Sequence, residues 1–137
     1  SEKIVKILLV EDNPGDIRLI VETISEGRLP LSVNVARDGE EAVKMITAGA
    51  FEPDIIMLDL ELPRKSGLEV LEALRANEKT KLTPVIVLSS SESEADITRA
   101  YELHANCYVT KPINLDSFVV TINSINNFWL TTARRAK

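Results

Sequence analysis

Five polar residues close or directly follow apolar runs in this chain. Glu11 and Asp12 end ILLVED, Asp59 ends DIIMLD, Ser89 ends PVIVLS, and Lys111 follows CYVT. Three carboxylates brought together repel one another and hold their protons more tightly than isolated ones. A divalent cation relieves that repulsion. Magnesium takes a few carboxylate oxygens plus water and leaves coordination positions for a phosphate. A lysine ammonium suits a phosphoryl oxygen or Asp59 itself, and the Ser89 hydroxyl can donate to a second phosphoryl oxygen. In that setting Asp59 is a nucleophile that forms an aspartyl phosphate. Metal and lysine would offset the charge that develops during phosphoryl transfer.

Taken singly, each of these residues has an ordinary reading. A lone Asp at a strand end is a turn residue or helix cap, Glu11-Asp12 can be a cap ahead of Pro14, Ser89 can be a cap, and Lys111 can be a solvated lysine. The chemistry therefore depends on elements that bring all five together. Val5–Val10, Asp54–Asp59 and Pro84–Ser89 are short, nearly all-apolar runs of the kind that form strands buried on both faces of a parallel sheet. Ser32–Ala36 alternates, and Cys107–Thr110 is a short fifth candidate.

Helical patterns separate these runs. Ile17, Ile20, Val21 and Ile24 share one helix face, after Asp12-Asn13-Pro14 as a helix start. Ala42, Val43 and Ile46 mark a second helix ended by Gly49. Leu68, Leu71 and Leu74 mark a third. Ile97, Ala100 and Tyr101 mark a fourth behind the cap-like run Ser91–Glu94. Leu115, Phe118, Val119, Ile122 and Ile125 mark a fifth, with Asn114 as its cap. Five strand–helix units predict a doubly wound α/β fold, a flavodoxin-like (βα)5 parallel sheet of order 2-1-3-4-5. Its ligand crevice lies between the carboxyl ends of strands 1 and 3, on the edge where Glu11, Asp12, Asp59, Ser89 and Lys111 would converge.

Composition narrows the classes. Apolar residues make up 45% of 137, enough for the core of one domain, and no repeat, low-complexity tract or linker divides the chain. The single cysteine, Cys107, excludes an internal disulfide framework, and the single histidine, His104, excludes a zinc site built on two histidines. Both read as packing or surface residues. A net charge of −5 is an unpromising balance for nucleic acid. No apolar run approaches the roughly 18–20 residues of a membrane span, and no leader pattern opens the chain. A cytoplasmic protein without membrane or nucleic-acid partners is expected.

ILLVED, DIIMLDLELPRKSG, PVIVLSS and YVTKP, in that order, resemble the receiver domain of two-component response regulators over nearly the whole chain. The resemblance implies that a sensor histidine kinase phosphorylates Asp59. It implies that Asp12 binds Mg2+ directly, Glu11 through water, and Glu61 by its backbone carbonyl. Lys111 would contact the phosphoryl group, and Lys111–Pro112 would be a cis peptide, which proline permits. Ser89 and Tyr108 stand at the switch positions, Ser89 moving toward the phosphate and Tyr108 turning into the space it leaves. Such a chain is no enzyme beyond catalysing its own phosphorylation and dephosphorylation.

Three departures stand out. Glu61 places a carboxylate two residues after Asp59, where it is expected to slow phosphotransfer or alter dephosphorylation. Ser66-Gly67 stands where many members have Asp-Gly, and Ser91 leaves water access to the phosphate unobstructed. YELHANCYVTKP and the late NFWL are similar to single-domain regulators of bacterial phytochrome kinases. That narrower group extends its last helix and uses the extension in homodimers. The expected division is a receiver domain over 1–127 and an extension and tail over 128–137, with Phe128 and Trp129 at the dimer interface. Output would then run through protein contact on the face of helix 4, strand 5 and helix 5. The alternatives are a phosphotransfer intermediate, a phosphate-independent receiver-like binding module, a haloacid-dehalogenase-type phosphatase and an FMN binder. The phosphatase needs a second Asp where Glu61 stands, and the FMN binder needs a phosphate loop where Glu11-Asp12-Asn13 is acidic.

Overall fold

Short apolar runs flanked by helix-capping residues set the order of elements. The computed structural model describes residues 4–27, 30–49 and 51–132, with side chains through Trp129. Strand β1 (Val5–Val10) is followed by α1 (Pro14–Ser25), β2 (Leu31–Ala36), α2 (Gly39–Thr47), β3 (Ile55–Leu58) and α3 (Gly67–Ala76). Then come β4 (Val85–Ser89), α4 (Glu94–Glu102), β5 (Cys107–Thr110) and α5 (Leu115–Ile125). All pairings are parallel and the strand order is β2-β1-β3-β4-β5. The expected (βα)5 arrangement is the observed one. Asp54 and Asp59 flank β3 rather than belonging to it.

Each helix begins where a short polar side chain takes an orphan backbone N–H. Asn13 accepts from the Asp16 amide, Asp38 from Glu41, Ser66 from Glu69, Ser93 from Asp96, and Asn114 from Ser117. Pro14 occupies the first turn of α1, where its missing N–H costs nothing. Helix α4 is followed, after its C-cap Leu103, by His104, whose φ of 66° puts a non-glycine residue in the left-handed region. The His104 and Ala105 amides there donate to the Tyr101 and Ala100 carbonyls and close the last turn.

The central strands are nearly all apolar because both faces are covered. Leu8, Val10, Ile56, Leu58, Val85 and Val87 face one cluster with Ala42, Ile46, Val70, Leu71, Leu74 and Ala100. Ile7, Leu9, Ile55, Met57, Ile86 and Leu88 face the other, with Ile17, Ile20, Ile24, Phe118, Ile122 and Ile125. Helices α1 and α5 therefore lie on one face and α2, α3 and α4 on the other. The sheet is held from both sides, and its carboxyl edge is a fixed platform.

Beyond α5 the chain continues as a π-helical segment, Asn126–Thr132. Trp129 packs partly buried against the α1–α5 cluster, whereas Phe128 is exposed and meets the Trp129 ring edge-on at 5.4 Å. The residues beyond 132, including the basic Arg134-Arg135, lie outside the described ones.

Gly67 ties this platform to the residue after β3. Its amide donates to the Leu60 carbonyl at 3.0 Å, and a Cβ there would collide with the backbone of Asp59 and Leu60. We expect Gly67→Ala to cost about 1–3 kcal/mol, the range for forcing a carbon into packed structure. Urea unfolding midpoints checks this; a midpoint equal to wild type would show that the loop yields freely.

Candidate functional site

Backbone ladders carry the functional residues to the carboxyl edge. The Glu11 amide donates to the Ala36 carbonyl, Asp59 to Val10, and Lys111 to Ser89, at 3.0, 3.0 and 2.8 Å. These bonds extend the sheet pairing one residue beyond each strand, so Glu11 and Asp59 leave the neighbouring strands β1 and β3 side by side, and Lys111 reaches them from β5 across the end of β4.

Lys111 is the centre of what results. Its Nζ donates to Glu11 Oε1 at 2.6 Å, Asp16 Oδ2 at 2.8 Å and Asp59 Oδ2 at 3.0 Å. Glu11 and Asp59 are almost fully buried, and the Lys111 side chain keeps only 9% of its exposure. Burial alone would push this ammonium toward deprotonation. The hydrogen bonds to Asp16, Glu11 and Asp59 overcome that and hold it above the ordinary lysine range. Glu11 is pushed up to about 7, first by burial and further by the Asp59 charge, against the pull of Lys111.

Glu11, Asp12 and Asp59 each present a carboxylate oxygen within 4.8 Å of the others, and Asp12 faces solvent. Three hard oxygen donors beside open water are the donor set magnesium prefers, so these residues fit the ion. The second Asp59 oxygen, Oδ1, accepts the Glu61 amide at 3.1 Å.

The other expected residues sit around this centre. Ser89 is fully buried at the end of β4, and its Oγ accepts the Ser91 amide at 3.3 Å. Tyr108 is half-buried against the α2–α3–α4 cluster; its hydroxyl donates to the Ser91 carbonyl at 2.8 Å. Burial pushes the Tyr108 phenol up. The Glu61 carboxylate is exposed and accepts the Ser90 hydroxyl at 2.6 Å, bridging the loops after β3 and β4 across the mouth of the site. Phe128 and Trp129 lie apart from it, beyond α5.

One expectation is corrected. No described peptide bond is cis, so Lys111–Pro112 is trans. Trans is the favoured X–Pro form by about 0.5–1 kcal/mol, and the Lys111 side chain reaches all three carboxylates with the bond in that form. Asp16 is a site residue that the pattern of strand ends did not reveal. Its signal was available: the first turn of a helix following β1 must start on the same edge, and Asp16 stands one turn after Asp12.

Beside Lys111 an open groove of about 530 Å3 runs between α1 and α5, lined by Leu19, Pro112, Ile113, Leu115 and Phe118 among others. Ile113 is fully exposed at its rim.

A family model described as the response regulator receiver domain matches residues 7–123. The chain belongs to the response regulator receiver family. This receiver domain is 40% identical over 131 residues to response regulator Rcp1 of Synechocystis sp., covering 92% of this chain and 89% of that protein. It is 34% identical over 128 residues to the probable methanogenesis regulatory protein FilR2 of Methanothrix harundinacea, covering 90% and 83%. Among solved structures it is similar to the phosphorylated cyanobacterial phytochrome response regulator RcpA. There the identity is 44%, the TM-score 0.95, and 98% of this chain and all of that one are covered. The Mn2+-bound form of Rcp1 gives 37% identity and a TM-score of 0.93, covering 97% and 99%. The role of a receiver domain is signalling in a two-component system, which sets aside the phosphatase and FMN-binding alternatives.

The receiver site depends on Lys111 for charge balance. Removing one partner of a buried ion cluster leaves the others uncompensated, at about 3–5 kcal/mol. Lys111→Met should lower stability by that order in chelator, and added Mg2+ should restore more of it than it adds to wild type. Equal stability of the two proteins in chelator, by urea unfolding, would count against this charge balance.

Proposed function

We propose that this receiver domain accepts a phosphoryl group from a sensor histidine kinase on Asp59 and changes its protein contacts in response. The observation that carries the reading is the convergence of the Glu11 and Asp12 carboxylates and the Lys111 ammonium on Asp59 at the sheet edge. Glu11, Asp12 and Asp59 would hold Mg2+, with the Glu61 backbone carbonyl as a further ligand. When bound, the ion would offset charge on the phosphoryl oxygens.

Asp59 supplies the nucleophilic oxygen. A new O–P bond forms as the P–N bond of the donor phosphohistidine breaks, and the electron pair leaves with the imidazole nitrogen. Lys111, now held by Glu11, Asp16 and Asp59, is placed to turn one N–H to the incoming phosphoryl oxygens. Ser89 would donate its hydroxyl to another, and Tyr108 would follow it as the switch residue. Loss of the group is a separate step in which water forms a new O–P bond as the Asp59 O–P bond breaks, returning the carboxylate and releasing inorganic phosphate, so the chemistry stays on this one side chain.

Similarity to Rcp1 and RcpA supports a phytochrome-type kinase as the upstream partner. The groove between α1 and α5 opens directly beside Lys111 and offers apolar surface to such a partner. No described helix is long and apolar enough to cross a membrane. A cytoplasmic site of action is part of the proposal, since it is where a sensor kinase of this kind would meet the receiver. We place the receiver unit at 1–127 and the extension at 128–137, and read the extension as the homodimer contact. Phe128, 53% exposed, is the residue it leaves open to a second copy.

Two experiments test these statements. With Mg2+ and acetyl phosphate, the intact chain should gain the mass of one phosphoryl group, and Asp59→Asn should gain none; a gain surviving in Asp59→Asn would move the acceptor elsewhere. Phe128→Glu should shift sedimentation from dimer to monomer with Trp129 packing retained; wild type sedimenting as a monomer, or the variant as a dimer, would remove Phe128 from the interface.

A further inference from the structure

We propose that Asp96 is a positioning residue for Tyr108, acting through Ser91. The inference rests on the reading of Ser89 and Tyr108 as the switch pair. Ser91 uses every polar group it has. Its carbonyl accepts the Tyr108 hydroxyl at 2.8 Å, and its amide donates to Ser89 Oγ at 3.3 Å. Its own hydroxyl donates to Asp96 Oδ2 at 2.7 Å and accepts the Ser93 amide at 3.3 Å. The carbonyl that holds the aromatic and the amide that touches the buried serine thus belong to one residue, and that residue is anchored by one carboxylate.

The local helix chemistry does not require this arrangement. Asp96 is the third residue of α4, and its amide already donates to the N-cap Ser93 at 3.3 Å. In a reciprocal cap, an acidic residue at this position returns its carboxylate to the amide of the N-cap itself. Here the Ser91 hydroxyl is inserted between them, taking the Ser93 amide and giving its proton to Asp96. The cap is thereby extended backwards into the loop that follows β4.

Tyr108 is also tied at its backbone, where its amide donates to the Tyr101 hydroxyl of α4 at 3.0 Å. That second bond fixes the strand, and the Ser91 carbonyl fixes the ring. A hydrogen bond to an ionised acceptor is among the stronger ones available, and Asp96 is half-buried, so water competes poorly for it. The Asp96 carboxylate therefore sets where the Ser91 carbonyl sits, and with it the half-buried position of the Tyr108 ring. Displacement of Ser89 would pull the Ser91 amide directly, which makes this loop the mechanical link between the phosphoryl site and the aromatic.

Fluorine NMR of the full chain labelled with 3-fluorotyrosine tests the idea. The chain has two tyrosines, and Tyr108→Phe assigns the signals. In the absence of phosphodonor, Asp96→Ala and Ser91→Ala should each raise the ratio of solvent-exposed to Ser91-bonded, half-buried Tyr108 by about tenfold, the effect of losing one charge-assisted hydrogen bond. Asp96→Asn keeps an acceptor and should restore most of the half-buried signal. An unchanged Tyr108 signal in both alanine variants overturns the proposal. A lowered unfolding midpoint with that signal in place would leave Asp96 a helix cap and nothing more. Should Asp96→Ala fail to fold, Ser91→Ala decides, since it removes the same bond from outside the helix. The switch reading is judged separately, by whether the wild-type Tyr108 signal moves once mass spectrometry shows Asp59 phosphorylated.

Discussion

Three carboxylates gathered at one edge of a sheet set the central constraint on this molecule. Like charges about 4 Å apart near a protein surface repel by about 4 kcal/mol at an effective dielectric of 20. Two of the three oxygens facing Lys111 belong to side chains removed from water, Glu11 and Asp59. The Lys111 ammonium answers that repulsion by donating to all three of its neighbours at once. This explains why one flexible side chain is so closely confined, and why Glu11 is pushed up even with a cation against it. It also makes the site responsive. A group bringing its own charge to Asp59 changes the balance that holds Lys111, Glu11 and Asp16 in place.

The opposite edge of the sheet is built differently. The Arg75 guanidinium, on α3, donates to the carbonyls of Thr80, Lys81 and Thr83 in the loop before β4. It also donates to the His104 carbonyl and to Asn106 Oδ1 in the loop before β5. Asn106 Oδ1 in turn accepts the Val85 amide. A planar five-donor group fitted to fixed carbonyls makes a staple. It also holds His104, a residue in the left-handed region, where an ordinary side chain costs about 1–3 kcal/mol. One edge is thus fastened by a cation on backbone carbonyls, which no ligand competes for. The other is fastened by a cation on titratable carboxylates, for which a phosphoryl group or metal would compete. Motion is permitted at one end of the strands and resisted at the other.

The carboxyl-terminal segment divides its two aromatics between different tasks. The widened π-helical turn after α5 lays Trp129 on the α1–α5 core, and the edge-on contact with Phe128 leaves the latter outside. The segment is therefore packed onto the receiver unit through Trp129, and among its described side chains Phe128 is the exposed apolar one.

The fold and most of the residues at the carboxyl edge, though not Asp16, were readable from the amino-acid order alone. Runs such as VKILLV and PVIVLS can be satisfied only by burial on both faces, helical spacing such as Ile17–Ile20–Ile24 demands one covered face, and capping residues mark the turns between. Parallel order then places every strand end on one edge, so Glu11, Asp12, Asp59, Ser89 and Lys111 were legible as a group. The pairings within and around that group came from three-dimensional packing instead. Asp16 joins Lys111 from a helix turn, Glu61 turns to Ser90, Ser91 and Asp96 hold Tyr108, Trp129 and Phe128 part company, and Lys111–Pro112 stays trans. Periodicity records which residues are removed from water, because burial repeats with the geometry of each element. It does not record which donor meets which acceptor between residues as much as 100 positions apart, because that depends on register, rotamer and a few ångströms of helix placement.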